Sequence, residues 1–206
     1  MDNMSKTIWS LKRNEGIEKD TILSILIPST KERSELLNTL YENLKKRIIE
    51  CDQNVEIIVF TDNKELSIGA KRNQLMEIAR GEYVCYFDDD DMPSPNYIQL
   101  ILKAIESKPD CCSLKGIITW NGQNPEIFEH SIKYKEWRTT TFTNPKYERP
   151  PNHLNAIKLS IAQRFKFPEL NHGEDSQWSE AIAKSELLQT EAYIEDVLYN
   201  YLYTTK

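Results

Sequence analysis

The first half of the chain alternates between short apolar runs and amphipathic stretches. Runs that are apolar and rich in β-branched or aromatic residues are typical of buried strands, and they occur at 21–28 (TILSILIP), 55–60 (VEIIVF) and 83–87 (YVCYF). The stretches between them, 31–50 and 70–80, carry apolar residues at helical spacing. The first predicted helix would turn inward Leu36, Leu37, Leu40, Leu44 and Ile48, and the second Ala70, Leu75, Ile78 and Ala79.

Residues at the ends of these segments fit their predicted structure. Ser29 or Thr30 can cap the first helix, and Gly81 suits the end of the second. Ser94-Pro95 then predicts the start of a third helix that reaches about Ser107. The whole order is strand–helix–strand–helix–strand.

This order predicts an α/β fold with a mainly parallel central sheet and helices on both faces. Ligands of such sheets bind beyond the carboxyl ends of the strands. Polar residues follow all three predicted strands, at Ser29/Thr30, at Thr61/Asp62/Asn63 and at Asp88 to Asp91. We therefore expect these strand ends to converge on one crevice.

The second half is less regular. Residues 111–120 predict a strand, 127–142 a small β-ribbon and 174–186 a helix, whereas 152–165 is ambiguous between strand and helix. The last ten residues, 197–206, predict a strand or a short helix. We expect one domain over 1–206, made of a first half at about 21–110 and a second half at about 111–206.

Composition narrows the possible functions. The chain has 206 residues and a net charge of −6, which makes nucleic acid an unlikely partner without excluding it. No run of 18 apolar residues occurs, and the N-terminus lacks the apolar stretch of a signal peptide, so we expect neither a transmembrane helix nor secretion. The four cysteines form no CxxC pair, which argues against zinc and for a reduced, cytoplasmic protein.

Four consecutive aspartates, Asp88 to Asp91, end the third apolar strand. At an effective dielectric of about 20, two charges about 5 Å apart repel by roughly 3 kcal/mol, so these carboxylates need a nearby positive charge or full solvation. An EF-hand is excluded, since its sixth and twelfth positions would be Pro93 and Gln99. The glycine-rich loops of dinucleotide and P-loop sites are absent. Carboxylates that hold Mg²⁺ or Mn²⁺ against substrate phosphates remain.

Four segments occur together in a known order: SILIPSTKER (24–33), VEIIVFTDN (55–63), GAKRNQLMEIARGEYVCYFDDDDMPSPNYI (69–98) and GEDSQW (173–178). In order and spacing the chain resembles inverting family-2 glycosyltransferases of the GT-A fold. The resemblance covers about 22–186 and is strongest over 69–97. It implies that the half at about 21–110 binds nucleotide and metal, and that the half at about 111–206 binds the acceptor. It implies transfer of a sugar from a nucleotide sugar, with UDP the expected nucleotide, to an acceptor hydroxyl with inversion.

The resemblance also implies roles for single residues. Those expected to bind the nucleotide are Pro28, Ser29, Thr30, Arg33, Asp62, Lys71, Arg72, Asp88 and Asp89, with Asp62 at the base. Asp88 to Asp91 matches the family's DXD motif, which makes Asp90 the metal ligand, with Asp88 as a second candidate, for Mn²⁺ or Mg²⁺. Asp175 of the Glu174-Asp175 pair matches the catalytic base.

One family feature is missing. Many relatives have a histidine metal ligand after the base helix, whereas this chain has the tyrosine-rich 197–206 segment there. His153 or His172 are the candidates to replace it, with water as the alternative.

The acceptor is expected to be a saccharide, but its site is open. Trp120, Trp137 and Trp178 suit sugar stacking, although packing is the favoured interpretation. The basic and aromatic stretch 133–151 fits an acceptor groove and an exposed loop equally. Two alternative functions also stay open. One is a nucleotidyltransferase, disfavoured because residues 28–37 contain no glycine, and the other is an inactive relative that binds only nucleotide or a partner.

Overall fold

The structure is a computed structural model that describes residues 6–9 (backbone only), 20–51, 54–141 and 143–203. Most of the N-terminal stretch, residue 142 of the predicted ribbon and residues 204–206 of the last predicted element lie outside the described residues.

The strands alternate with helices in the first half and dominate the second. They are β1 Lys6–Trp9, β2 Leu23–Thr30, β3 Val55–Asp62, β4 Tyr83–Tyr86, β5 Met92–Pro93, β6 Cys111–Cys112, β7 Leu114–Trp120, β8 Gln123–His130, β9 Arg138–Thr139, β10 Tyr147–Arg149, β11 Ile157–Lys158, β12 Glu191–Ala192 and β13 Val197–Tyr203. The helices are α1 Ser34–Ile49, α2 Ile68–Ile78, α3 Tyr97–Ile105, α4 Leu159–Ala162 and α5 Glu174–Ser185, and a 3₁₀ turn, Lys31–Arg33, precedes α1.

The first sheet has the order β1-β3-β2-β4-β11-β6-β12. Its centre is parallel, since β2 pairs in parallel with both β3 and β4. Strands β1 and β11 run antiparallel to their neighbours, and β12 runs parallel to β6. Five of the seven described strands therefore point the same way, which confirms the prediction of a mainly parallel sheet.

Helices cover both faces of this sheet. Alternate residues of a strand point to opposite faces, and Ile25 and Leu26 of β2 belong to two separate apolar clusters. The cluster around Ile25 includes residues of α1 and α3, and the cluster around Leu26 includes residues of α2 and α5. The fold class predicted from the apolar runs is thus confirmed.

The second sheet has the order β5-β13-β7-β8-β10-β9 and is larger than the predicted ribbon. Strand β5, directly after the four aspartates, pairs antiparallel with β13, and β13 pairs in parallel with β7. The C-terminal tyrosine-rich segment is therefore a strand as far as it is described. Its pairing with β5 ties this sheet to the aspartate loop.

Several predicted boundaries were wrong. The predicted strand 111–120 divides at Ser113, because β6 belongs to the first sheet and β7 to the second. The ribbon starts earlier than predicted, at Gln123, and residues 131–137 are not strand. The ambiguous stretch 152–165 contains both a short strand and a short helix, β11 and α4.

Three helix predictions also need correction. Leu36 is 43% exposed because α1 begins just beyond the end of β2, and its first turn extends past the sheet. The third helix begins at Tyr97 rather than at Pro95. Helix α2 ends at Ile78, before Gly81. A Cβ on Gly81 would lie 2.5 Å from the backbone nitrogen of Ser24, so this glycine permits close approach to β2.

Within the described residues, no helix combines the length and apolar character needed to cross a bilayer.

Candidate active site

The polar ends of β2, β3 and β4 lie together, as the strand order requires. Lys71 of α2 reaches across two of them, with Nζ 2.9 Å from the carbonyl oxygen of Ser29 and 2.5 Å from Oδ1 of Asp62. The hydroxyl of Ser29 donates to Oδ2 of Asp89 at 2.5 Å. The three polar strand ends therefore converge at the carboxyl ends of the parallel strands, as expected from the sequence.

Asp62 is fully engaged by the protein. Besides Lys71, it accepts hydrogen bonds from the backbone N–H groups of Lys64 and Leu66, at 3.1 and 2.8 Å. Burial opposes its ionisation, but these hydrogen bonds outweigh burial, and the pKa of Asp62 is lowered. Its carboxylate therefore fixes the turn after β3.

Pro28 and Thr30, the other two candidates on β2, face β3 in register with Phe60 and Asp62. Pro28 is buried. The hydroxyl of Thr30 is also buried and has no hydrogen-bond partner within the described chain. It is a polar atom at the strand end that a bound ligand could satisfy.

Arg33 neutralises two of the four aspartates. Its Nη2 lies 2.6 Å from Oδ1 of Asp89 and 2.8 Å from Oδ2 of Asp90, and its Nε donates to Asp89 at 2.8 Å. The hydrogen bond to Asp89 raises the pKa of Arg33 despite partial burial. Asp89 is buried in this pair, whereas the Asp90 side chain stays 38% exposed.

Arg72 supports a third aspartate. Its guanidinium is buried above the rings of Tyr86 and Phe167, and Nη2 donates to Oδ1 of Asp88 at 3.0 Å. Burial of Asp88 opposes its ionisation, but the charge of Arg72 and the contact with His153 prevail, so the pKa of Asp88 is lowered. The positive charge that the sequence required is thus supplied by two arginines.

Asp91 contacts β13. It is buried, accepts from the hydroxyl of Tyr199 at 2.7 Å and accepts from the backbone N–H of Leu202 at 2.9 Å. Burial, followed by the charge of Asp88, raises the pKa of Asp91 to about 8. Asp91 therefore anchors the aspartate loop to β13.

The Glu174-Asp175 pair begins α5, directly after Gly173 in a left-handed turn with φ of 78°. Glu174 is buried, and its Oε1 lies 3.4 Å from Nε of Arg72. The side chain of Asp175 is 28% exposed. The buried partner of Arg72 is thus Glu174, and Asp175 is the member of the pair that is open to a ligand.

His153 connects the two carboxylates that motif matching singled out. Its Nε2 lies 3.4 Å from Oδ2 of Asp88, and its Nδ1 lies 3.9 Å from Oδ2 of Asp175. The ring is buried, and Nδ1 has no hydrogen-bond partner in the described part of the chain. His172, the other candidate, is exposed. The sequence favoured a hydrogen-bonded structural role for His153, with a metal-ligand role as the alternative, and its position between two aspartates was not predicted.

Asp88, His153 and Asp175 line one cavity of about 280 Å³. The second sheet contributes the aromatic side chains of Trp120, Tyr147 and Tyr201 to its wall, and Trp137, directly before β9, also lines it. Ser29, Arg33, Asp62 and Lys71 do not line this cavity. Trp178 is instead packed on Phe167 in the core, with ring centroids 4.6 Å apart, as the favoured interpretation of that tryptophan required.

The described residues contain no group of three or more His, Cys, Asp or Glu side chains that could hold a metal ion by itself. Mg²⁺, however, commonly binds through one or two carboxylates together with water and substrate phosphate. Asp90 fits that requirement, because Oδ2 contacts Arg33 while Oδ1 has no partner among the described residues. The donor chemistry is compatible with Mg²⁺ or Mn²⁺.

Two known glycosyltransferases are similar to this chain in sequence. An uncharacterized glycosyltransferase of Methanocaldococcus jannaschii is 27% identical over 170 residues, which are 81% of this chain and 54% of the relative. The glucosyl-dolichyl phosphate glucuronosyltransferase of Haloferax volcanii is 26% identical over 125 residues, 58% of this chain and 39% of the relative. The chain thus spans about half, or less, of the length of these relatives.

Solved structures share the fold. TarS of S. aureus in complex with UDP superposes with a TM-score of 0.60 at 16% identity, over 89% of this chain and 61% of TarS. Its complex with UDP-GlcNAc gives a TM-score of 0.59 at 15% identity, over 90% of this chain and 60% of TarS.

The family model described as Glycosyl transferase family 2 matches residues 63–170, from the turn after β3 to the segment before α5. The match covers more than half of the chain and includes the aspartate loop and His153. The chain therefore belongs to glycosyl transferase family 2 and has the GT-A fold.

Proposed function

We propose that the protein transfers a sugar from a nucleotide sugar to an acceptor hydroxyl with inversion at the anomeric carbon. The observation that carries the proposal is that Asp88, from the aspartate loop, and Asp175, at the start of α5, line the same cavity. One carboxylate comes from the segment that the family resemblance assigns to the donor, and the other matches the base.

A UDP-sugar is the proposed donor. TarS, which shares the fold, has been solved with UDP and with UDP-GlcNAc. In this chain Ser29, Thr30 and Arg33 surround the end of β2, and Arg72 and Lys71 hold the neighbouring aspartates in place. We propose that Asp90, with Asp88, would hold Mn²⁺ or Mg²⁺, which when bound supplies Lewis-acid stabilisation to the leaving diphosphate.

Asp175 is the proposed base. Its carboxylate accepts the proton of the acceptor hydroxyl as that oxygen attacks the anomeric carbon and the bond to the diphosphate breaks. A single displacement of this kind inverts the anomeric centre. The start of α5 favours a negative charge on Asp175, and His153 lies close enough to restrict the orientation of the carboxylate.

A saccharide is the proposed acceptor, because the aromatic wall of the cavity offers stacking surfaces next to Asp175. The four cysteines are free thiols, which supports the cytoplasm as the proposed location.

The test is a donor-hydrolysis screen over nucleotide sugars with and without Mn²⁺. We expect Asp175→Asn to lose transfer by a factor of about 10² or more while it keeps UDP affinity in calorimetry. Asp90→Ala should lose the metal-dependent part of UDP affinity. Asp196→Asn, at an exposed aspartate, is the matched control and should change neither quantity.

A parallel assay with a nucleoside triphosphate and a sugar phosphate, together with the donor screen, separates the two alternative functions. Release of pyrophosphate from a nucleoside triphosphate and a sugar phosphate would identify a nucleotidyltransferase. UDP binding without turnover of any donor would identify an inactive relative. Unchanged turnover in Asp175→Asn would remove Asp175 from the mechanism.

A further inference from the structure

The cavity beside Asp175 contains a cation that the proposed chemistry does not use. Arg149, on β10, lines the same cavity as Asp88 and Asp175. It comes from the basic and aromatic stretch that the sequence left open between an acceptor groove and an exposed loop. In the structure this side chain is half-buried.

The guanidinium of Arg149 is held in a fixed plane. Its Cζ lies 4.7 Å from the ring centroid of Trp137 and 5.4 Å from that of Tyr147. Its Nη1 donates to the carbonyl oxygen of Glu148 at 2.9 Å and to that of Arg138. Two rings and two carbonyls therefore orient this side chain before any ligand arrives.

The opposite edge of the guanidinium is unsatisfied. Within the described residues, Nε and Nη2 of Arg149 have no hydrogen-bond acceptor, and no carboxylate lies within ion-pair distance. Burial lowers the pKa of Arg149, whereas the contact with Asp89 raises the pKa of Arg33. Arg149 is therefore a partly desolvated cation without a counter-ion, next to a cavity.

Two adjacent N–H donors in one plane match a carboxylate or a phosphate, which accept two parallel hydrogen bonds from arginine. The cavity also offers Trp120 and Tyr201, whose rings suit the apolar face of a sugar. His130, which lines the cavity too, stays neutral because burial lowers its pKa to about 3, so it does not compete for an anion.

We propose that the acceptor is an anionic saccharide, whose carboxylate or phosphate binds to Nε and Nη2 of Arg149 while its reacting hydroxyl faces Asp175. This inference rests on the proposed function and narrows its acceptor to one chemical class. Recognition of the anion explains why Arg149 has no counter-ion among the described residues, in a pocket that also contains Asp88 and Asp175.

The test uses tryptophan fluorescence, because Trp120 and Trp137 line the cavity and report binding without turnover. The probes are methyl glucuronide, glucose 6-phosphate and, as the neutral match, methyl glucoside. We expect at least one anionic probe to bind about tenfold or more tightly than methyl glucoside, as charge-assisted hydrogen bonds require. The tighter anionic probe distinguishes carboxylate from phosphate.

Substitutions test whether Arg149 is responsible for the preference for anionic probes. Arg149→Gln should abolish the preference for the anionic probe, and Arg149→Lys should restore it only in part, because an ammonium lacks the paired donors. Arg138→Gln is the control from the neighbouring strand, since its exposed guanidinium pairs with Glu136. It should leave the preference unchanged.

Equal affinity for anionic and neutral probes, no binding of either anion, or an unchanged preference in Arg149→Gln would overturn the proposal. The proposal would also be overturned if Arg149→Gln weakened binding of UDP-glucuronate but not of free methyl glucuronide. That result would mean that Arg149 recognises an anion on the donor. UDP calorimetry on the same proteins tests the proposed function separately. Absence of UDP binding with an intact anion preference would reject the donor and leave the anion site standing.

Discussion

Lys71 and Asp62 form a buried ion pair, with Nζ 2.5 Å from Oδ1 and both side chains no more than 4% exposed. The pair joins α2 to the end of β3, and the same ammonium donates to the carbonyl of Ser29 at the end of β2. One cation thus fixes the relative positions of two of the converging strand ends.

Removal of one partner of this pair should lower the free energy of unfolding by much more than the intact pair contributes to it. We expect Lys71→Met to lower the free energy of unfolding by about 3–5 kcal/mol, because Asp62 would be left charged and buried. The double variant Lys71→Met/Asp62→Asn should recover part of that loss. Urea unfolding measures both. Lys166→Met, at an exposed pair with Glu77, is the control and should cost less than about 1 kcal/mol.

The same pair predicts a pH dependence. The pKa of Asp62 is lowered in the folded state, so its contribution to stability is present above its unfolded pKa, about 4, and is lost as pH falls through the lower folded value. Between pH 5 and pH 3, the free energy of unfolding of the wild type should fall more steeply than that of the double variant. Parallel curves for the two proteins would contradict this assignment.

Substitution of Asp91 should mainly reduce stability, whereas substitution of Asp90 should mainly reduce metal-dependent UDP affinity. Asp91→Ala leaves the buried hydroxyl of Tyr199 and the N–H of Leu202 without their acceptor, so we expect a loss of about 2–4 kcal/mol in unfolding free energy. Asp90→Ala removes a partly exposed carboxylate and should cost about 1 kcal/mol or less. Its effect should appear in metal-dependent UDP affinity. Equal stability losses would disprove the separation of anchor and ligand.

We expect His153 to affect transfer by holding the carboxylate of Asp175 in its orientation. We expect His153→Gln to lower kcat for transfer by roughly tenfold, because the carboxylate loses the ring that restricts its orientation. UDP affinity should change much less. His172→Gln replaces an exposed histidine and should leave kcat unchanged. A fall in UDP affinity equal to the fall in kcat would show that His153 acts through Asp88 and the donor.

The sequence predicts the centre of the fold well because its strands are short, largely apolar and followed by polar residues. It fails where tertiary contacts decide. Gly81 was predicted to end a helix, yet its role is to let the backbone pass against Ser24, 57 residues earlier. At Ser113, where the chain changes sheet, the hydroxyl accepts a hydrogen bond from the backbone N–H of Ile194, a long-range contact that no local pattern reveals.

For the site, too, the sequence reveals local motifs but not long-range contacts. Consecutive aspartates and the Glu174-Asp175 pair are visible as motifs, and the strand order brings them together. Their partners are not visible, because Arg33, Arg72 and His153 act across many residues. His153 in particular lies in a segment whose secondary structure was ambiguous, and only the folded chain places its ring between Asp88 and Asp175.

The contact between Asp91 and β13 spans 108 residues. A version of this protein shortened to end before Val197 would retain every recognisable motif, from the aspartates to the Glu174-Asp175 pair. It would nevertheless lose the tether that holds the acidic loop in place and one strand of the cavity wall. The family match, over 63–170, would still be found in such a fragment, although nothing would hold Asp91 from the far end of the chain.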